Sequence, residues 1–279
     1  MTLPSSKEGR LTTFSRPNPF MITRFIKKIV PYSTKLRLRE KVLGLYGIPF
    51  SRFDIAAPLI QQFRDGGPIN LIDIGASSGN FTDSIEKFCG IKRAILVEPI
   101  PKRCEELKLR FTEDRFTIIS GAVGDHDGEL KMEILNWDYA SSILPVVRSD
   151  ANVSSELDLG VAETISTRML TLDRILAENH FEGPVDLLKV DVQGAEHLVL
   201  AGAKTMLPQV KAIWLEVSFR PLYKGSLTFE GIQERCRKAG FVLANLVEGF
   251  RGADGELLQA DALFIRPLGR SPGDSKIKN

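Results

Sequence analysis

Four acids, Asp73, Glu98, Asp191 and Glu216, each lie at the carboxyl end of a short apolar run. A charge in such a place is costly unless it is paired or used, so these positions are read first. Asp73 leads into Gly75-Ala76-Ser77-Ser78-Gly79 and then a helix near Asn80. The two glycines permit a tight turn and a close ligand approach, and strand ends of open α/β sheets are where ligands bind. Asp73 suits a cationic ligand such as an aminoacyl group or a sulfonium. A dinucleotide loop would read G-x-G-x-x-G before a phosphate-cradling helix, and here the middle glycine is missing. Glu98 tips the run AILVEP, and Pro99 forces the chain out of the strand. An acid there accepts both ribose hydroxyls of an adenosyl group. In the following SGAVGDHDGE, Ala122 and Val123 are expected against the adenine, with Asp125 or a backbone group at its amine. Asp191, in the apolar run VDLLKVDV, is the leading catalytic candidate, with Lys189 two residues earlier as its partner. Glu196 and His197 open the next helix, where an acid favours helix polarity and the imidazole titrates near neutrality. Glu216, ending AIWLEVS, is expected to point into the same crevice.

These residues need a scaffold that ends several strands side by side. From Ile69 onward, short apolar runs alternate with helical periodicity. Strands are predicted at 70–74, 94–98, 116–120, 185–190, 212–217, 241–247 and 262–266, and helices at about 80–88, 102–111, 195–206 and 228–239. This alternation predicts an α/β fold with a mostly parallel sheet covered on both faces. Glu248–Glu256 reads as the turn of a closing antiparallel hairpin. Between 127 and 171 the alternation breaks. GELKMEIL and ETISTRML read there as extra strands flanking a polar loop, 136–160, and an insertion of that length is usually functional or disordered.

The chain has 279 residues, 43% hydrophobic and 26% charged, with a formal net charge of +2, so composition gives no nucleic-acid footprint. Cys89, Cys104 and Cys236 form no CxxC pair and read as free thiols in a reducing compartment. No run approaches the ~18–20 apolar residues of a membrane span, and no secretory pattern opens the chain, which reads as cytoplasmic. Residues 1–20 and 269–279 have the composition of disordered tails. Residues 21–62 read as a basic helical extension. Within 21–47, seven bases (Arg24, Lys27, Lys28, Lys35, Arg37, Arg39, Lys41) sit among apolar residues with one acid, Glu40. The plain reading is an extension that packs on the domain of residues 63–268; the functional one is peripheral contact with an acidic substrate or an anionic membrane.

TLDRILAENHFEGPVDLLKVDVQGAEHLVLAGA, with LIDIGASSGNF, VEP and WLEVS, resembles the FkbM family of S-adenosylmethionine (SAM)-dependent methyltransferases. The resemblance rests on the D-x-G-A loop (Asp73, Gly75, Ala76), the Glu98-Pro99 pair and the segment Lys189/Asp191/Gly194/Ala195/Glu196, and covers about 69–265. Gln193 stands where an acid is common, and Ser77-Ser78 where Asn is common. The resemblance implies a Rossmann-like class I methyltransferase fold, a seven-stranded mostly parallel sheet with a C-terminal antiparallel hairpin. It implies SAM as cofactor, held around Asp73, Gly75, Ala76, Gly79, Asn80, Glu98, Pro99, Ala122, Val123 and Asp125. It also implies O-methylation of a hydroxyl on a small molecule or glycan, with Ser141, Ser142, Glu196 and Glu216 on the acceptor side.

Such a reaction is an in-line displacement that needs alignment, worth ~7–11 kcal/mol, and a group to take the hydroxyl proton. Asp191, Lys189 and His197 are the candidates. Asp191 and Glu216 have metal-binding character, but two carboxylates without a third evident ligand are not a metal site, and none is assigned. Two other readings stand beside this one. A nicotinamide-dependent oxidoreductase would share Glu98, though the loop lacks its glycine and no Tyr-x-x-x-Lys pair follows the fourth strand. A non-catalytic SAM-binding scaffold would dock through residues 21–47.

Overall fold

The computed structural model of the chain describes residues 67–147, 158–252 and 254–267. The expectations for 1–20, 21–62 and 269–279, including membrane contact through 21–47, lie outside the described residues. In chain order the strands are β1 (Ile69–Ile74), β2 (Ile91–Glu98), β3 (Phe116–Ser120), β4 (Ala122–Gly124), β5 (Gly128–Leu135), β6 (Val161–Thr171), β7 (Val185–Val190), β8 (Val210–Ser218), β9 (Val242–Glu248) and β10 (Gln259–Ile265). The helices are α1 (Asn80–Cys89), α2 (Pro101–Arg110), α3 (Leu172–Glu178), α4 (Glu196–Ala201) and α5 (Phe229–Lys238).

Seven strands form one sheet in the order β3-β2-β1-β7-β8-β10-β9. The first five are parallel, and β10 runs antiparallel between β8 and β9, closing the expected hairpin. The central strands are apolar nearly throughout because both faces are covered. One face buries Ile72, Ile74, Leu188 and Val190 against Ile175 of α3, Val199 of α4 and Ile232 of α5. The other buries Leu71, Leu96, Leu187 and Trp214 against Phe81 and Ile85 of α1 and Leu107 of α2. The chain leaves β1 toward β2 on one side and returns to pair β7 on the other. The point between β1 and β7 is therefore the topological switch, where open α/β sheets place their ligands.

The inserted strands are β5 and β6, paired antiparallel from Gly128↔Met169 to Leu135↔Val161. They form a second sheet, ordered β4-β6-β5, whose short strand β4 the sequence pattern does not reveal. Nor does the pattern predict α3, which follows β6 directly. The helix expected over 195–206 stops at Ala201. Gly202 ends it by close packing: a Cβ there would lie 2.0 Å from the Gly124 carbonyl oxygen of β4. That contact seats the end of α4 on the small sheet. Among the described residues no helix is long and apolar enough to cross a membrane.

Gly202→Ala forces α4 away from β4. It is expected to lower the unfolding free energy by about 1–3 kcal/mol, read as the denaturation midpoint in urea. A midpoint equal to the wild type would show that the contact does not constrain the fold.

Candidate active site

The ends of β1 and β7 are joined backbone to backbone. Asp191 N donates to Ile74 O (3.0 Å), and a Cβ on Gly75, whose φ is +74°, would lie 1.9 Å from Asp191 O. Only glycine fits that crossing. Beneath it, Lys189 is buried at 3% exposure. Its Nζ donates to Gly75 O (2.6 Å) and lies 3.2 Å from Asp73 Oδ1 and 3.6 Å from Asp191 Oδ2. Burial opposes the ammonium charge, but the carboxylates of Asp73 and Asp191 outweigh it and raise the lysine above its ordinary value. Lys189 is thus a fixed cation, unable to accept a proton at neutral pH.

The loop after β1 spends its own donors. Gly75 N and Ala76 N both donate to Val97 O (2.9 and 3.1 Å), and Ser77 N donates to Glu98 Oε2 (2.8 Å). Glu98 Oε1 accepts from Ile100 N (3.0 Å). Burial pushes the Glu98 carboxyl up, partly offset by those two N–H groups. A loop whose amides are engaged by a carbonyl and a carboxylate does not cradle a phosphate, so the local chemistry disfavours a pyrophosphate.

A cleft of about 680 Å³, part of it open to solvent, lies over these strand ends. Gly75, Ser77, Glu98 and Pro99 line it, with Ala122 and Val123 of β4 as an apolar wall and Asp191, Val192 and Gln193 opposite. The insertion supplies Asp138, Tyr139, Ser141 and Ser142. Arg103 of α2 fixes that wall: its Nε and Nη2 donate to Asp138 Oδ2 (3.1 and 2.7 Å), and its guanidinium covers the Tyr139 ring at 5.2 Å. Ser141 Oγ accepts from Leu135 N (3.0 Å). Ser142 Oγ accepts from Leu144 N (3.0 Å) and donates to Val192 O (3.3 Å). Both hydroxyls therefore shape the wall first.

The structure redistributes several predicted residues. Asp73 does not face the cleft. It is fully buried on the α1 side, where Thr82 Oγ1 donates to its Oδ2 (2.7 Å). The alternation of β1 decides this, since Ile74 faces the other layer. Ala76 is buried, and Gly79 packs against Phe111 and Leu107. Asn80 is exposed at the start of α1, accepting from Arg110. Asp125 is exposed and paired with His126 (2.8 Å), outside the cleft. His197 also lies outside the lining, half-buried, its basicity lowered by burial and by Arg235. One position along a helix is a 100° turn, so when Glu196 faces inward its neighbour cannot. Glu196 Oε1 accepts from Val192 N and Gly194 N (3.1 Å each) and so sets the loop after β7. Glu216 stands behind Gln193 rather than at the cleft surface, its Oε2 accepting from Gln193 Nε2 and Gln259 Nε2 (2.8 Å each). Burial, then Asp191 and Glu196, raise it well above the usual carboxylate range. Among the described residues no group of three or more His, Cys, Asp or Glu is arranged to hold a metal ion. Sequence reasoning missed Arg103, Asp138 and Tyr223. The signal for Asp138 is an aromatic and acid patch, WDYA, inside the insertion.

The family model of the Methyltransferase FkbM domain matches residues 73–243. A relative, the 2-O-methyltransferase NoeI of Sinorhizobium fredii (strain NBRC 101917 / NGR234), is 28% identical over 249 residues, covering 85% of this chain and 97% of that protein. Among solved structures, the methyltransferase FkbM of Methylobacillus flagellatus KT is 14% identical, with a TM-score of 0.44 over 71% of this chain and 43% of that one. Aeropyrum pernix fibrillarin, solved with natively bound S-adenosyl-L-methionine, is 12% identical, with a TM-score of 0.40 over 71% of this chain and 67% of that one.

Burial pushes Glu196 up to about 7 from an ordinary 4.5. The folded state then binds this proton more tightly than the unfolded chain, so stability falls as pH rises from about 4.5 toward 7. Glu196→Gln keeps an acceptor for Val192 N and Gly194 N without the charge. Melting curves at pH 5 and pH 8 should show a smaller loss in the variant than in the wild type; equal losses would count against a buried charge at this position.

Proposed function

The chain belongs to the FkbM methyltransferase family, and from that premise we propose that it is a SAM-dependent O-methyltransferase acting on a hydroxyl of a small molecule or glycan. The observation that carries the reading is the cleft at the β1/β7 switch, with Glu98 on one wall and Asp191 on the other and its loop amides already engaged. Such a site favours a ligand that is cationic at one end and offers hydroxyls at the other. The relative named as a 2-O-methyltransferase, matched along 97% of its length, supports a hydroxyl acceptor. SAM, when bound, supplies a methyl group already activated by its sulfonium.

The residues divide the work by position. Each Glu98 oxygen accepts one backbone N–H and keeps a lone pair for a ribose hydroxyl. Ala122 and Val123 give the adenine an apolar wall. Gly75 lets the loop backbone lie against the end of β7, so that the cofactor side and Asp191 share one rigid edge. Asp191 is the carboxylate at the cleft from which a proton acceptor is drawn. Its Oδ2 faces Lys189, which keeps its own proton and holds the pair in place. The wall from Asp138 to Ser142 meets the acceptor.

Calorimetry with SAM, S-adenosylhomocysteine and NAD tests the cofactor. The first two are expected to bind and NAD is not; NAD binding with none for SAM would sink the reading. Glu98→Gln should weaken SAM by roughly tenfold to a hundredfold, the size of a hydrogen bond to a charged group. Asp191→Asn should keep SAM affinity and reduce transfer of labelled methyl to a fractionated extract by roughly 10²–10⁴-fold. Undiminished transfer would remove Asp191 from the chemistry.

A further inference from the structure

Gln193 has no assigned part in the site, yet it is the most connected side chain behind Asp191. Its backbone adopts φ +57°, a left-handed conformation that non-glycine residues seldom take. From there its Nε2 donates to Asp191 Oδ1 and to Glu216 Oε2, both at 2.8 Å. Its Oε1 lies 2.9 Å from the Tyr223 hydroxyl, which is itself 3.0 Å from Ala140 O in the inserted wall. The amide orientation is fixed by chemistry, because the reverse one would set a carbonyl oxygen against two carboxyl groups. Tyr223 is in turn held by its neighbours: a Cβ on Gly194 would lie 2.7 Å from its ring.

We propose that Gln193 is a positioning residue, whose amide holds the Asp191 carboxylate at the cleft as a proton acceptor and ties it through Tyr223 to the acceptor wall at Ala140–Ser142. This rests on the reading of Asp191 given above. Asp191 lies among several titratable groups: Lys189 of β7, Glu196 at the start of α4, Glu216 on β8 with Asp261 paired beyond it on β10, and the neutral hydroxyl of Tyr223 after β8. Three of these are acids, and one ammonium shared with Asp73 is the only cation among them. A donor held between Asp191 and Glu216, 2.8 Å from an oxygen of each, offsets the repulsion between these two acids, and a hydrogen bond to a carboxylate favours its charged form. A carboxylate at 193 would instead add a further like charge at the same spot.

The test follows the Asp191 carboxyl carbon by ¹³C NMR across a pH titration, the resonance assigned by its loss in Asp191→Asn. Gln193→Leu is expected to raise the titration midpoint by about one pH unit, a tenfold change in proton affinity, and Gln193→Glu by more. Tyr223→Phe, which leaves the amide but removes its anchor, should move the midpoint the same way by less. A midpoint unchanged in Gln193→Leu overturns the proposal. Should that variant not fold, an unchanged midpoint in Gln193→Glu overturns it equally. Calorimetry of the wild type with SAM, run alongside, separates the two claims. SAM binding with an unmoved midpoint leaves the methyltransferase reading standing and removes Gln193, whereas absent SAM binding removes that reading and leaves the midpoint to decide whether Gln193 controls Asp191.

Discussion

The Lys189 ammonium sits where β1 and β7 run side by side, its Cα directly opposite that of Asp73. A buried cation is a severe cost unless it is paired and hydrogen-bonded. Here Asp73, Asp191 and the Gly75 carbonyl share it. Each partner belongs to a different part of the site: one to the core of β1, one to the end of β7 and one to the cofactor loop. The loop cannot shift without exposing or stranding the charge, and neither can Asp191. Geometry that could have been left to loop entropy is fixed by an electrostatic requirement in the core. Asp73, which seemed a ligand contact, serves the site by holding Lys189 in register.

Around this cation the strand ends gather acids in excess. Glu98, Asp191, Glu196 and Glu216 all converge on one edge, and burial pushes three of them, Glu98, Glu196 and Glu216, upward. The fold tolerates them because each is given N–H donors: backbone amides for Glu98 and Glu196, side-chain amides for Glu216 and Asp191. The consequence is a cleft whose polar lining offers the carboxyl oxygens of Glu98 and Asp191, while the loop amides are already engaged. An anion finds few free N–H groups there, and a ligand that brings hydroxyl donors is favoured. Selectivity for the proposed cofactor therefore follows from how the protein solves its own desolvation problem.

Much of this was legible in the sequence, for a physical reason. Strands buried on both faces are continuous apolar runs, so their ends, and the acids there, stand out, and the seven strands of the main sheet and the hairpin follow from that pattern. What escaped has an equally physical cause. The strand β4 is only three residues long, and α3 has seven with no capping pattern beyond Thr171, so neither carries a period. Side-chain direction is a matter of register: moving one residue along a strand or helix reverses or rotates the face. That separates buried Asp73 from the cleft and Glu196 from His197. Exposure also misled at Asp125, because a Gly/Asp turn looks the same whether it meets a ligand or water. Gln193 and Tyr223, some thirty residues apart, meet only in three dimensions.

Under the proposed function the inserted segment meets the acceptor, and the way it is fastened limits how it can vary. At one end, Arg103 of α2 grips Asp138 beside the cofactor wall. At the other, Ser142 reaches Val192 O and Ala140 meets Tyr223, beside Asp191. The inserted wall is thus anchored separately to the Glu98 side and to the Asp191 side of the cleft. Residues between these anchors, such as Tyr139 and Ser141, can change the shape presented to an acceptor without moving either half. If the chain transfers a methyl group as proposed, changes at the anchors disturb alignment, from which such a displacement draws much of its acceleration, and are expected to act on rate more than on recognition. The proposed function thereby gives acceptor shape and alignment to different residues of one short segment.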